Sequence, residues 1–375
     1  MAFFNRIWIF CKRESVLCIA AACALLSMLF VPPDAEYIGY FDFRVLCLLF
    51  CLMAVVVGFQ ECNLFYLLAQ RLLSGKVNLR ALTAALVLLP FFASMFVTND
   101  VALITFVPFA ILVLKLIGRE DPLPWVIVLQ TVAANLGSMA TPVGNPQNLY
   151  IFSKFAPEAG VFFSVVLPVA LAGFLLTGGA ALLSGRGVAE VVFEQEAKLH
   201  SPKRLALYTA LFVLSLLSVF RVVPYLVPTL AVIVCFLFLS PNLLKKVDYA
   251  LLMTFVCFFV FSGNIARVGA IRTALSSMLA GDALLTSAAA SQVISNVPAA
   301  VLLCDFTDNW RALLLGVDIG GLGTPVASLA SLISLKLYAR CEGAKTGRFL
   351  ALFTLANAIG LALLMPLGYL ILEFF

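Results

Sequence analysis

The stretch Phe96-Val97-Thr98-Asn99-Asp100-Val101-Ala102-Leu103 decides the fold. It sets a hydroxyl, an amide and a carboxylate inside the otherwise apolar run 79–116, where each is expensive facing lipid. A second interruption, Val293-Ile294-Ser295-Asn296-Val297-Pro298-Ala299, lies in the other half of the chain. Each is followed by a glycine-rich Thr-Pro-Val within a further apolar segment. The first of these is Gly137-Ser138-Met139-Ala140-Thr141-Pro142-Val143-Gly144-Asn145-Pro146, and the second is Gly320-Gly321-Leu322-Gly323-Thr324-Pro325-Val326-Ala327. Four interruptions in this order read as one site, positioned by the rest of the chain.

Of 375 residues, 63% are hydrophobic and 11% charged, against about 25% charged in a soluble domain. With a mean hydropathy of +1.10, the chain is expected to be an all-α polytopic membrane protein in the lipid bilayer. At about 20 apolar residues per span there is room for roughly ten. The net charge of +5 is assigned to basic cytoplasmic loops. Nucleic acid is excluded as a partner, because no basic face with interleaved aromatics is present. The ten cysteines include no CxxC and His200 is the sole histidine, so reduced, structural cysteines are expected. There is no GxxxxGK[ST] loop for ATP, no Ser-His pair and no histidine cluster. The chain is therefore read as neither a primary pump nor an enzyme, with no cofactor beyond Na⁺ as a coupling ion.

Residues 1–13, with Trp8, read as an amphipathic surface lead. Lys12 and Arg13 before the apolar run 16–31 resemble a signal peptide. Pro32-Pro33-Asp34 ends that run in place of small cleavage-site residues, so a retained first span is expected. Further spans are expected at 44–59, 161–183, 205–223, 225–240, 248–264 and at the C-terminal end. The segments 81–116 and 270–309 read as two re-entrant hairpins, and 125–152 and 311–338 as two broken transmembrane helices. Residues 1–183 form an N-terminal half, 184–204 a cytoplasmic linker and 205–375 a C-terminal half, with repeats at about 42–183 and 248–375. With each hairpin returning to its side of entry, the inside holds 18 of the 24 lysines and arginines. The outside holds only Arg44, Lys154, Arg221, Arg267, Arg272 and Arg311. This bias predicts a cytoplasmic-membrane protein with its N-terminus inside and its C-terminus outside.

The halves repeat one order. Asp42-Phe43 pairs with Asp248-Tyr249, Gly58 with Gly263, Asn99 with Asn296, Gly137 with Gly320, and Thr141-Pro142-Val143 with Thr324-Pro325-Val326. The repeats start on opposite sides, which makes an inverted-topology repeat. A helix interrupted in the membrane exposes backbone groups, tolerated where they line a polar cavity. Half-helix N-termini suit anions, while carbonyls and Asn, Ser and Thr oxygens suit small cations. The candidate substrate- and ion-binding residues are Thr98, Asn99, Asp100, Thr141, Pro142, Gly144, Asn145, Ser295, Asn296, Asp318, Thr324 and Pro325. Asp100 has two compatible readings, ligand or helix cap. Asp318 aligns with neutral Asn135 and reads as a functional carboxylate or as a buried hydrogen-bond partner. Arg311 reads as a guard of an outer entrance or as an interface anchor.

Through TNDVALITFVPF (98–109), NLGSMATPVGNPQNLY (135–150), ISNVPAAVLL (294–303) and GGLGTPVASLAS (320–331), the sequence resembles the ion transporter superfamily. That group holds divalent anion/sodium symporters, citrate permeases, arsenite permeases and related Na⁺/H⁺ antiporters, and the resemblance covers nearly the whole chain. It implies an elevator-like movement of the hairpin core against a scaffold, with Na⁺ at Asn99, Gly144, Asn296 and Ala327. In the dicarboxylate symporters the hairpin tips read Ser-Asn-Thr. Asn99 and Asn296 match that pattern, whereas Asp100 and Val297 stand in place of both threonines. The Thr-Asn-Asp tip is nearer the arsenite-permease pattern.

The leading expectation is a secondary active transporter of a small inorganic or organic anion, coupled to Na⁺ or H⁺ and assembled as a homodimer. The alternative is a cation/proton antiporter with Asp100 and Asp318 as carriers. An intramembrane enzyme or a structural scaffold are the remaining classes.

Overall fold

A computed structural model describes residues 14–184, 187–193 and 196–375. The N-terminal lead 1–13, with Lys12 and Arg13, therefore lies outside the described residues, as do Arg186 and Glu194 of the linker. In chain order the elements are α1 (Ser15–Ser27), α2 (Phe43–Glu61), α3 (Leu64–Leu73), β1 (Gly75–Asn78), α4 (Leu79–Ser94), α5 (Asn99–Leu116), α6 (Leu123–Ser138), α7 (Pro146–Phe155) and α8 (Ala159–Leu182). There follow β2 (Val188–Val191), α9 (Pro202–Val219), α10 (Leu226–Leu239), α11 (Pro241–Leu244), α12 (Tyr249–Arg267), α13 (Gly269–Gly281), α14 (Ala283–Ile294), α15 (Asn296–Leu303), α16 (Trp310–Ile319), α17 (Leu329–Tyr338) and α18 (Thr346–Leu372).

Among the described residues six helices, α2, α5, α8, α9, α12 and α18, are long and apolar enough to cross a membrane. Their exposed faces carry side chains such as Leu167, Leu171 and Leu175 on α8 and Leu355, Ile359 and Leu363 on α18. Apolar faces of this kind are stable against lipid, and the chain is a multi-pass α-helical membrane protein. The expected first span is shorter than its apolar run. The 13 residues of α1 rise about 20 Å, less than the roughly 30 Å of a hydrocarbon core. By length and composition α5 qualifies as a crossing helix.

Several features recur in the same order along the chain. Asp42 caps α2 by accepting the Val45 N–H at 3.0 Å, and Asp248 caps α12 by accepting the Leu251 N–H at 2.9 Å. Each of these helices is notched by a glycine that receives a tyrosine ring. A Cβ on Gly58 would sit 2.6 Å from Tyr208, and one on Gly263 would sit 2.5 Å from Tyr40. A helical pair joined at an asparagine comes next, α4–α5 in one half and α14–α15 in the other. Helices interrupted at the Thr-Pro-Val motifs follow, α6–α7 and α16–α17. α4 packs on α6 as α14 packs on α16. The second halves exchange partners, because α7 packs on α15 and α17 on α5.

The polar linker holds one element that its composition did not announce. β2 pairs antiparallel with β1, in the register Gly75↔Val191 to Asn78↔Val188. The segment before α4 is thereby tied to the segment between the halves.

Candidate functional site

All four interruptions meet. In α4–α5 the turn brings Thr98 to the N-cap, puts Asn99 at the start of α5 and sets Asp100 in its first turn. That placement suits a carboxylate, since the helix N-terminus is positive. In the second pair Ser295 makes the turn with φ 73° and ψ 154°, a region that strains any residue with a Cβ. Its N–H and that of Asn296 are both held, the latter by the Ala327 carbonyl at 2.9 Å.

The two threonines of the Thr-Pro-Val motifs act as matched latches. Thr141 Oγ1 donates to the Met95 carbonyl at 2.5 Å, and Thr324 Oγ1 donates to the Gln292 carbonyl at 3.0 Å. In both cases the acceptor lies one helical turn before the tip asparagine. Thr141 is half-buried, with Pro142 and Gly144 buried behind it, whereas Thr324 is exposed and Pro325 half-buried.

Two side-chain knots brace the centre. Asn135 on α6 accepts from Asn99 Nδ2 at 2.9 Å and from Ser328 Oγ at 3.1 Å, and its own Nδ2 donates to the Gly321 carbonyl at 3.4 Å. Asp318 occupies the matching place on α16. Its Oδ1 accepts from Asn145 Nδ2 at 3.2 Å and Gln147 Nε2 at 3.1 Å. Asn145 also caps α7, with Oδ1 accepting the Asn148 N–H at 2.8 Å. Each knot therefore joins the first part of one interrupted helix to the break of the other.

Asp100 faces elsewhere. It lines a cavity of about 710 Å³ together with Thr98, Val143, Asn145 and Pro146, with Lys245, Lys246 and Lys336 also in the lining. That size is within the range of small-molecule sites. One carboxylate oxygen of Asp100, Oδ1, is buried without a hydrogen-bond partner among the described residues. Lys246 is paired with Glu61 at 2.8 Å. The sequence contains no basic residue in the four interruptions, so these lysines are brought to the cavity by folding alone.

The positions assigned to Na⁺ differ in the oxygens they leave open. The Ser138 and Ser94 carbonyls converge on Gly144, 2.1 and 2.7 Å from where its Cβ would be, and form a neutral oxygen pair. Asn99 Oδ1 accepts the Asp100 N–H at 3.0 Å, and Asn296 Oδ1 accepts that of Val297 at 2.9 Å. The Ala327 carbonyl already takes two donors, Asn296 N–H and Ser295 Oγ, the latter at 3.3 Å. Arg311 stands over the Trp310 and Phe375 rings at 5.1 and 5.4 Å, the geometry of an anchor.

Several bracing residues lie outside the motifs. Gln292 donates to the Gly320 carbonyl at 2.7 Å and the Leu322 carbonyl at 2.9 Å and accepts the Thr324 N–H at 2.9 Å. It stitches the second turn to the second break, and only a residue without a Cβ fits at Gly323, where φ is 113°. Gln130 donates to the Leu86 carbonyl at 2.8 Å. Pro90 has no N–H for that carbonyl, so a glutamine in an otherwise apolar helix was a readable signal.

The opposite end of the core from the lysines is pinned. Lys154 on α7 pairs with Asp305, whose Oδ2 accepts from Ser262 Oγ on α12 at 2.7 Å. Arg221 donates to the Ser153 carbonyl at 2.7 Å.

A multi-pass helical bundle with interrupted helices knotted at its centre, beside a cavity, defines a membrane transporter. The chain belongs to the citrate transporter family, whose model matches residues 6–309. It is 30% identical over 331 residues to a Methanocaldococcus jannaschii protein described as an uncharacterized transporter, covering 87% of this chain and 89% of that one. It is 29% identical to the inner membrane protein YbiR of Escherichia coli, covering 79% of this chain and 80% of the relative. Its fold is similar to the crystal structure of the Alcanivorax borkumensis YdaH transporter, with a TM-score of 0.53 at 16% identity, over 94% of this chain and 98% of that one.

Proposed function

We propose that the protein is a secondary active transporter of a small inorganic or organic anion in the cytoplasmic membrane, coupled to Na⁺ or H⁺. The observation that carries this is the joint knotting of both turns and both breaks beside a cavity with lysines in its lining. In this reading the halves 1–183 and 205–375 are an inverted repeat, and α4–α5 and α14–α15 are re-entrant hairpins. The hairpins and interrupted helices move as one core against α2, α9, α10 and α12. In this reading the lysine end, taken as cytoplasmic, is the open end and the Lys154–Asp305 end is the closed one. The N-terminus is then inside and the C-terminus outside, and the working unit is a homodimer.

Candidate contacts to the solute are Thr98, Asp100 and the N-terminus of α7 at Asn145. Gly144 with its two neighbouring carbonyls is the best-disposed of the Na⁺ positions. Uptake into proteoliposomes over a panel of small anions, under an imposed Na⁺ or H⁺ gradient, tests the reading. Gradient-driven cation/proton exchange with no anion requirement would sink it in favour of an antiporter using Asp100 and Asp318. That second reading is supported by the unpartnered oxygen on each of those carboxylates.

A further inference from the structure

The two knots match in position and differ in chemistry. Around Asn135 the accepting oxygen and the donating nitrogen are both engaged, so the first knot is closed. Around Asp318 the second knot is open. The residue is 3% exposed, and Oδ2 accepts nothing from the described residues. The Asn148 amide nitrogen also approaches this carboxylate, but it is committed to the Met139 and Thr141 carbonyls at 3.0 and 3.2 Å. Asn145 cannot turn to present its oxygen, because Oδ1 is held by the Asn148 N–H. The knot thus gathers N–H donors on one carboxylate oxygen and leaves the other, Oδ2, without a donor among the described residues.

We infer that Asp318 is the proton-binding group of the transport cycle, an inference that rests on reading the chain as a coupled secondary transporter. Oδ2 takes a proton from water on one side of the membrane, forming an O–H bond, and returns it to water on the other side. A proton there neutralises a buried carboxylate that no cation pairs with among the described residues. A metal ion needs a shell of oxygens instead, and the groups oriented on Oδ1 are N–H donors. Asn145 both lines the cavity and touches Oδ1, so the carboxylate stands one side chain behind the cavity wall.

No other charge intrudes. α16 packs against α6, α7, α8, α14, α15 and α18. The ionisable side chains on these helices are Tyr150 and Lys154 on α7 and Arg348 and Tyr369 on α18, with Arg311 on α16 itself. None of them acts on Asp318. Asp100 belongs to the cavity and has no such donor-lined seat.

Asp318→Asn gives the second knot the chemistry of the first. Infrared spectra of the purified wild type, titrated from alkaline to acidic, should gain the C=O band of a buried protonated carboxyl. Asp318→Asn should lack that band and Asp100→Asn should keep it. A wild type without the band across the range, or its persistence in Asp318→Asn, overturns the inference. In proteoliposomes, a proton gradient should make the wild type accumulate its anion. Asp318→Asn should only equilibrate that anion, while still exchanging it for itself. Accumulation by the variant at the wild-type level also overturns the inference. A wild type that moves no anion overturns the transporter reading instead, and the infrared result then decides the proton site alone.

Discussion

Removing the Asp305 carboxylate should unpin the closed end of the core. Asp305 joins Lys154 on α7 to Ser262 on α12, and the two charged side chains are 31% and 29% exposed. A partly exposed ion pair is worth about 0.2–1 kcal/mol. A hydrogen bond to a charged group contributes about 1.5–3 kcal/mol, less where water competes. Lys154 and Asp305 both belong to the moving core, so only the Ser262 hydrogen bond crosses to α12, and its loss in Asp305→Ala removes about 1–2 kcal/mol of preference for the closed end. That corresponds to roughly a 5–30-fold rise in the opposite state. Asp305→Asn keeps the contact with Ser262 and should raise it less than about fivefold. The neighbouring thiol Cys304, only 4% exposed, reports the change. Its alkylation rate by a membrane-impermeant maleimide, read by mass spectrometry of its peptide, should rise by those factors. Thr98→Cys in the cavity is the reciprocal control and should not label faster. Unchanged Cys304 reactivity in Asp305→Ala would refute the pin.

The threonine latches should be unequal. Thr141→Val leaves the Met95 carbonyl stranded in a half-buried site and should cost about 1–3 kcal/mol in thermal unfolding, against about 0.5 kcal/mol for exposed Thr324→Val; equal losses would sink this assignment. Gly137→Ala drives a Cβ to 2.1 Å from the Phe91 carbonyl and should cost about 3 kcal/mol, whereas Gly178→Ala meets only Leu88 side-chain atoms at 3.7 Å and should be near neutral. At the loop before α2, hydrogen bonding from Arg267 holds the Asp34 carboxyl below its ordinary value. A depressed carboxyl stabilises above its unfolded value and loses that contribution as pH falls through the folded one. The gap in melting temperature between wild type and Asp34→Asn should thus be present at neutral pH and close on acidification; a gap that widens in acid would contradict the pairing.

The centre of the molecule was readable because polar groups in an apolar run must find partners. Thr98-Asn99-Asp100, Ser295-Asn296 and the two Thr-Pro-Val motifs announced where helices stop, and the paired Asp42 and Asp248 announced where the equivalent helices begin. Which partner each group takes was not readable. Asn135 with Ser328 and Asp318 with Asn145 are contacts between halves far apart in the chain, and nothing local encodes them. The lysines of the cavity come from two distant places, Lys245 and Lys246 from the loop after α11 and Lys336 from the last turn of α17. The β1–β2 pairing joins strands of four residues each, too short for an alternating pattern to stand out from a polar linker. Ser295 in a glycine-like conformation is equally silent, since serine carries no sequence mark of strain.

The two glycine notches bear on how the chain is assembled. Tyr208, from the second half, fills the notch at Gly58 in the first, and Tyr40, from the first half, fills the notch at Gly263 in the second. Each half thus lends the other a ring, as swapped subunits exchange an arm. Neither half has a finished interior by itself, so the pair resembles an obligate heterodimer that happens to be one polypeptide. Cut within 184–204, the chain should yield two fragments that are insoluble when made apart and that recombine when made together.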